Sequence, residues 1–376
     1  MSFESRIDRE MEQSRRRENE RKTEQLSAAV DLLTPKLSDF ADSPAHPDWQ
    51  RDQAYVDRTE AHFNEEPGYH AKALEHIIQY GIAQGRILSD PTGESYQTAP
   101  IWTTRFDDIS NRIDAAATVY PSESEDGSSE SNSGITFGID LTTNPDPDTI
   151  RRKILVGSNS ARELPAGFSQ IVYYRDPNGE RSQRSYIPRY CIGLDSESVD
   201  SYLDGLTIDR NGVPHVRQGT DAVPSFKILY EMSRQNELFE SPLYQKLDDG
   251  IATPDEQIAL SRMEQLDNIY LQELDRIAKT LPEWLTKQCL TKSGTIDVPK
   301  VATYLSTGED ADQTFTNIIQ TTESLLNEFA SSSGEMGAPD ADYLKKAGDR
   351  YRRQPYHRTQ DLGARATRLA SKLHAS

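Results

Sequence analysis

Apolar and polar positions divide the chain into helical ends and a middle that reads as strands. Residues 2–33 carry few apolar side chains among Glu, Arg, Lys and Gln, which predicts a long solvent-exposed helix held by ion pairs. Tyr69 to Leu88 is apolar at three-to-four spacing, which predicts an amphipathic helix. A shorter helix is expected around Tyr55–Phe63, within a linker interrupted by prolines. From about residue 219 onward the helical period returns.

The segment from Asn111 to Tyr190 contains short apolar runs bounded by turn residues, a pattern typical of strands. The first two runs are expected to form a hairpin across the Ser/Glu/Gly-rich loop at 121–134, and Asn144-Pro-Asp-Pro predicts a cap before a basic helix. The predicted elements are strands at Arg112–Tyr120, Ile135–Thr142, Gln170–Tyr174 and Tyr186–Leu194, and the basic helix at Thr149–Leu155.

The helices expected after residue 219 are Phe226–Phe239, Pro254–Thr280, Pro282–Leu290, Val298–Tyr304 and Thr314–Ala330. The chain therefore divides into four parts. An N-terminal exposed helix and linker span 1–66, an α/β core spans 67–215, a helical region spans 219–331, and a linker with a basic tail spans 332–376.

Composition narrows the class of protein. With 35% hydrophobic residues and no long apolar run, the 376-residue chain is expected to be soluble, cytoplasmic and without a membrane segment. Its net charge of −19 argues against a protein that coats nucleic acid non-specifically. The charge is uneven, however. Residues 149–190 carry eight basic and three acidic side chains, and residues 345–376 carry nine basic and two acidic ones.

Two aspartates interrupt the predicted strands where apolar residues are expected. Asp114 lies in RIDAAATVY and Asp140 in ITFGIDLTT, and a carboxylate in a half-buried strand is costly unless it is paired or binds a metal. Carboxylates on adjacent strands suit Mg²⁺, which takes oxygen ligands and few protein carboxylates. Asp107 and Asp108 precede the first strand, and Lys153 follows the second.

The order of these residues resembles the PD-(D/E)xK nuclease superfamily, which has a restriction-endonuclease-like fold. The string FDDISNRIDAAATVY, followed by TFGIDLTT and RRKI, resembles a group of uncharacterised bacterial nuclease-like proteins over about residues 69–195. The resemblance implies an αβββαβ core, a small mixed sheet flanked by helices, with long helical extensions at both ends.

The resemblance also implies roles for particular residues. Asp114 and Asp140 would hold Mg²⁺ or Mn²⁺, with Asp108 as a further acid, and Glu75 would match an acid on the first helix. Thr142 occupies the place of the family's Lys but cannot supply its charge, so Lys153 on the following helix would substitute. Arg151, Arg152 and Arg162 would track the backbone of DNA or RNA.

Simpler roles remain open for the same residues. Asp107 and Asp108 could be a turn or a helix cap, and Glu75 could be a solvated side chain. Asp114 and Asp140 could each close a salt bridge, for example with Arg112 or Arg189. The function is expected to be magnesium-dependent phosphodiester hydrolysis. The alternative is an inactive nuclease-like fold that binds proteins or nucleic acid, with its flanking helices as protein-binding surfaces.

Overall fold

The structure, a computed structural model, describes residues 3–62, 68–84, 87–88, 95–121, 134–155, 164–175, 179–209, 214–216, 222–293, 295–307 and 311–333. The predicted basic tail and Arg162 lie outside these ranges. The chain divides into two compact units, Met1–Ser324 and Leu325–Ser376, and the first contains every strand described below.

The described residues form helices first, then helices mixed with strands, and then helices again. The helices are α1 (Phe3–Leu33), α2 (Trp49–Glu60), α3 (Tyr69–Ala83), α4 (Arg105–Asn111), α5 (Pro147–Leu155), α6 (Ser196–Asp204), α7 (Ala222–Asp248), α8 (Pro254–Ala278), α9 (Glu283–Thr286), α10 (Val298–Thr307) and α11 (Gln313–Ser333), with a 3₁₀ turn at Leu37–Phe40. The strands are β1 (Tyr96–Ile101), β2 (Ala115–Pro121), β3 (Ile135–Thr142), β4 (Phe168–Arg175), β5 (Arg181–Gly193), β6 (Leu206–Ile208) and β7 (Pro214–Val216).

The central sheet has five strands in the order β1-β2-β3-β5-β4. Strand β2 pairs antiparallel with β1 and β3, β4 pairs antiparallel with β5, and β3 pairs parallel with β5. A parallel pair needs a crossover, and α5 lies within the segment that supplies it. The expected mixed α/β sheet flanked by helices is confirmed at this level, and so is the β2–β3 hairpin.

The first two strands of the sheet differ most from the sequence prediction. Strand β1 was not among the predicted strands. It contains Pro100, but a proline is tolerated on an edge strand, where one ladder position is unpaired. Strand β2 begins at Ala115 and not at Arg112. Arg112 has φ 55° and ends α4 in a left-handed turn, so the extended backbone starts after it.

Helix α1 is less exposed than its polar sequence predicts. Asn19, Thr23, Leu26 and Val30 are buried at intervals of three and four residues, so they share one stripe of the helix. The burial of this stripe is consistent with the contacts that α1 makes with α3 and α6. The remaining faces carry ion pairs such as Arg21 with Glu18, as expected.

Helix α7 lies beside β5 where that strand extends past β4. The side chain of Gln235 accepts a hydrogen bond from the Cys191 amide at 2.8 Å and donates to the Cys191 carbonyl at 2.6 Å, replacing a missing strand partner. The Cys191 side chain is fully buried. None of the helices in the described ranges is long and apolar enough to span a membrane.

Asp107 connects α4 to β4. Its buried carboxylate accepts hydrogen bonds from the amides of Val172 (2.7 Å) and Tyr173 (3.2 Å) and from the side chain of Asn111 (2.8 Å). These amides lie where the register of β4 shifts against β5, so Asp107 satisfies backbone that the sheet leaves unpaired. Asp107 therefore has a structural role, which is close to the helix-cap alternative. Its neighbour Asp108 has different partners.

Candidate functional site

The β2–β3 hairpin places Asp114 beside Asp140. Ala115 pairs with Ile139, and the Asp114 amide donates to the Ile139 carbonyl at 2.9 Å, so the ladder continues one residue before β2. The Asp114 carboxylate accepts a hydrogen bond from the amide of Leu141 at 2.6 Å, directly after Asp140. Two acids that are 26 positions apart in sequence therefore meet at one end of the sheet.

Lys153 reaches this end of the sheet from α5. Its ammonium pairs with the Oδ1 atom of Asp140 and donates to the carbonyl of Leu141 at 2.8 Å. Burial favours the neutral amine, but attraction to Asp140 and Asp114 outweighs this, so the pKa of Lys153 is raised. Lys153 is therefore a fixed positive charge and a poor proton acceptor at neutral pH.

Arg189 on β5 completes the charge arrangement around Asp140. Its guanidinium donates to the Oδ2 atom of Asp140 at 2.7 Å and to the carbonyl of Lys153 at 2.6 Å. The Arg189 side chain is 0% exposed, so its charge depends on these partners. Arg189 thus fixes both the acid and the helix turn that carries the lysine. The salt bridge proposed as an alternative for Asp140 is present, and Lys153 joins it.

The second acid, Asp114, lies near Lys153 but also near two further acids, Asp108 and Asp140. Asp108, in the first turn of α4, shares a hydrogen bond with Asp114 and also pairs with Arg105. Burial raises the pKa of Asp114 well above its ordinary value, and the nearby Asp108 and Asp140 raise it further. The pKa of Asp108 is raised for the same first reason, its burial. The Asp108–Asp114 pair therefore retains a proton more readily than free carboxyls do.

Glu75 on α3 belongs to the same acidic group, which contradicts its interpretation as a solvated side chain. Burial and the charge of Asp114 raise the pKa of Glu75 to about 7. Gln79, one turn later, donates to the Glu75 carboxylate at 3.3 Å and to the Asp114 carbonyl at 2.8 Å. The helix pattern suggested that Glu75 faces solvent. This was wrong because α3 packs against β1, β2 and β3.

The remaining predicted residues lie near this site in different settings. The Thr142 hydroxyl accepts from the Asn144 amide at 3.1 Å, which organises the turn after β3. Asp146 then accepts from the Thr149 amide at 2.8 Å and caps α5, as the sequence predicts. Arg152 is exposed on α5, and Arg151 beside it is half-buried.

Few side chains at this site could bind a metal ion. Among the described residues, no group of three or more His, Cys, Asp or Glu side chains is arranged to hold a metal ion. Asp114 and Asp140 supply carboxylate oxygens, the donor type that Mg²⁺ prefers, and Mg²⁺ usually takes only one or two protein carboxylates. The raised pKa of Asp114 marks a place where a cation would relieve repulsion.

Comparison with known proteins finds no matching family model, no matching curated protein and no matching solved structure.

The acidic group predicts an unusual pH dependence for Glu75→Gln. Because the folded state holds a proton on Glu75 that the unfolded chain releases above about pH 4.5, stability falls as pH rises towards 7. The variant removes this loss. We expect it to unfold with a free energy higher by roughly 2–3 kcal/mol at pH 8 and unchanged at pH 4.

Urea denaturation in the presence of a chelator, at pH 4, 6 and 8, measures this difference. Glu283→Gln is the matched control because the Glu283 side chain is 79% exposed in its pair with Lys287. Equal stability of parent and Glu75→Gln at pH 8 would show that Glu75 is ionised without cost.

Proposed function

We propose that this protein hydrolyses phosphodiester bonds of nucleic acid with the help of Mg²⁺ or Mn²⁺, through a PD-(D/E)xK-like site. One observation carries the proposal. The Lys153 ammonium, on the helix after β3, contacts the Asp140 carboxylate beside Asp114. This is the substitution that the resemblance requires, because Thr142 stands where the motif has its lysine.

The order of elements supports the same proposal. Helix α3, strands β1, β2 and β3, helix α5 and strand β5 follow one another as the αβββαβ core of the superfamily does. The candidate acids belong to α3, the start of β2 and β3, in the order that the resemblance implies. The α4 helix and the β4 strand are additions to that order.

Each side chain has a role that its surroundings support. Asp114 and Asp140 would hold the cation, and the raised pKa of Lys153 keeps it protonated to stabilise charge on the phosphate. Glu75 is the candidate acceptor of a proton from the attacking water. Arg189 keeps Asp140 and Lys153 in place.

The cation, when bound, would neutralise charge that builds on the scissile phosphate and acidify the attacking water. Arg151 and Arg152 on α5 are the proposed contacts for the neighbouring phosphates. The basic side chains of this segment give an acidic protein a local surface that a polyanion can approach.

The alternative is a fold of the same kind that binds without cleaving. It is favoured by the engagement of both Asp140 oxygens with Lys153 and Arg189, and by Thr142 at the motif lysine position. The two functions differ in one measurable respect, since only hydrolysis requires the Lys153 charge during turnover.

Lys153→Met tests the proposal. The parent protein is incubated with plasmid, single-stranded DNA and RNA, with Mg²⁺, with Mn²⁺ or with a chelator. We expect metal-dependent cleavage that falls by roughly 100-fold to 1,000-fold in the variant, as when one preorganised electrostatic contact is removed. The variant should remain folded because Asp140 keeps Arg189 as its partner.

Lys279→Met is the matched control, since the Lys279 side chain, at the C-cap of α8, is 67% exposed in its pair with Asp275. Its cleavage rate should equal that of the parent. Cleavage that is equal in parent and Lys153→Met, or equal with and without metal, would refute the proposal. Metal-dependent binding of nucleic acid without cleavage in the parent would establish the alternative.

A further inference from the structure

A cavity of about 280 Å³ lies against the outer strands of the sheet, and its walls combine aromatic rings with a positive charge. Trp102, Tyr120 and Tyr174 provide the rings, and Arg175 provides the charge. The end of α1 contributes Leu33 to the same lining. Flat aromatic surfaces beside a guanidinium are suited to a planar ligand attached to an anion.

Arginines of β4 and β5 lie over aromatic rings in this part of the fold. The Arg184 guanidinium lies 4.7 Å from the centroid of the Tyr174 ring. The Arg175 and Arg181 guanidiniums lie 5.9 Å and 5.8 Å from the centroid of the Phe40 ring. All three arginines belong to β4, which supplies Tyr174 and Arg175 to the cavity, or to its partner β5, so this pair of strands carries positive charge in a chain of net charge −19.

The short segment after β1 connects a wall of the cavity with the proposed site. Strand β1 ends at Ile101, opposite Ala116, and Trp102 and Thr103 follow it. The Thr103 hydroxyl donates to the Asp114 carbonyl at 3.4 Å. Trp102, which lines the cavity, is therefore the chain neighbour of a residue that contacts the candidate metal acid.

We propose that this cavity receives a nucleobase of a single-stranded nucleic acid whose backbone passes the Asp114 and Asp140 carboxylates. The inference rests on the proposed function and names the substrate class. A base in a duplex is stacked and paired, so it can enter such a cavity only after costly extrusion, whereas a single strand presents its bases directly. The arginines of β4 and β5 hold the adjoining phosphates.

Trp102→Leu tests the inference by binding and not by cleavage. Fluorescein-labelled oligothymidylate, oligouridylate and a blunt DNA duplex are titrated with parent and variant protein in a chelator, and anisotropy gives the dissociation constants. We expect the variant to bind the two single strands roughly 5-fold to 100-fold more weakly, as when one base loses an aromatic stacking partner. Duplex binding should not change.

Two controls test whether the weaker binding comes from the lost contact between Trp102 and a base. Trp284→Leu removes a tryptophan whose side chain is 55% exposed on α9, and it should bind as the parent does. An abasic strand should bind the parent about as weakly as the normal strand binds Trp102→Leu. If Trp102→Leu does not fold, as circular dichroism will report, Tyr120→Leu replaces it on another wall of the cavity.

Unchanged affinity of Trp102→Leu for both single strands, or an abasic strand that binds as tightly as a normal one, would overturn the inference. A stronger loss with oligothymidylate or with oligouridylate would assign the base to DNA or to RNA. The inference and the proposed function can fail independently of each other. Metal-dependent cleavage without a Trp102 effect would retain the function alone, and base-dependent binding without cleavage would retain the cavity alone.

Discussion

Asp140→Ala should lower the free energy of unfolding by about 3–5 kcal/mol, the cost of leaving a buried charge without its partner. Asp140 is the partner of two cations, and one of them, Arg189, is 0% exposed. Lys153 still reaches the Leu141 carbonyl and some solvent after the change, whereas the Arg189 guanidinium loses its carboxylate in the core. Chemical denaturation at pH 7 measures the effect.

A double variant identifies the origin of this loss. Replacing Arg189 by Met as well removes the unpaired charge, so Asp140→Ala/Arg189→Met should be less destabilised than the sum of the two single changes. Asp275→Ala is the control, because its side chain is 62% exposed and its pair with Lys279 is worth at most about 1 kcal/mol. Additive effects of Asp140 and Arg189 would mean that their ion pair does not stabilise the fold.

Asp114→Asn should have opposite effects on activity and on stability. Cleavage should fall by more than about 1,000-fold, or roughly 4 kcal/mol of activation free energy, because the cation loses a charged ligand. The unfolding free energy at pH 8 should rise in a chelator. Burial and repulsion from Asp108 and Asp140 raise the pKa of Asp114, and a neutral amide does not incur that cost.

The asparagine can keep the local hydrogen bonds of the parent. Its carbonyl oxygen accepts from the Leu141 amide, and its amino group donates to Asp108. Steady-state cleavage assays and denaturation of the same preparation give both quantities. A variant that is less stable than the parent and still cleaves would show that Asp114 serves the fold and not the reaction.

The sequence predicted the strands and helices that carry the site better than it predicted what surrounds them. Asp140, Lys153 and the α5 cap were identified because a carboxylate in an apolar run and an Asn-Pro-Asp-Pro turn are local signals. The parallel pairing of β3 with β5 was not a local signal, and Arg189 joins the site only through that pairing. The one available sign was an arginine inside the apolar run YIPRYCIGL.

For Glu75 and β1, the sequence pattern did not reveal their place in the fold. The polar face of α3 favoured a solvated Glu75, and β1, which contains Pro100, was not predicted as a strand. Yet α3 packs against the sheet and β1 is one of its strands. Burial depends on which elements come together, and sequence period alone does not specify that. The acidic cluster around Asp114 was therefore underestimated, because its members come from α3, from α4 and from the start of β2.

The lysine that crosses from α5 to Asp140 also affects how an arrangement of this kind can be found in other chains. In the primary structure the acid and the lysine are separated by 13 positions, and the motif position two residues after the acid holds Thr142. A search for an acid followed at fixed spacing by lysine would pass over this chain. A three-dimensional template built from a strand carboxylate, a helix ammonium and a buried strand guanidinium would recover it. Such a template would also recover other chains in which the lysine occupies a different sequence position but its charge lies at the same place in space.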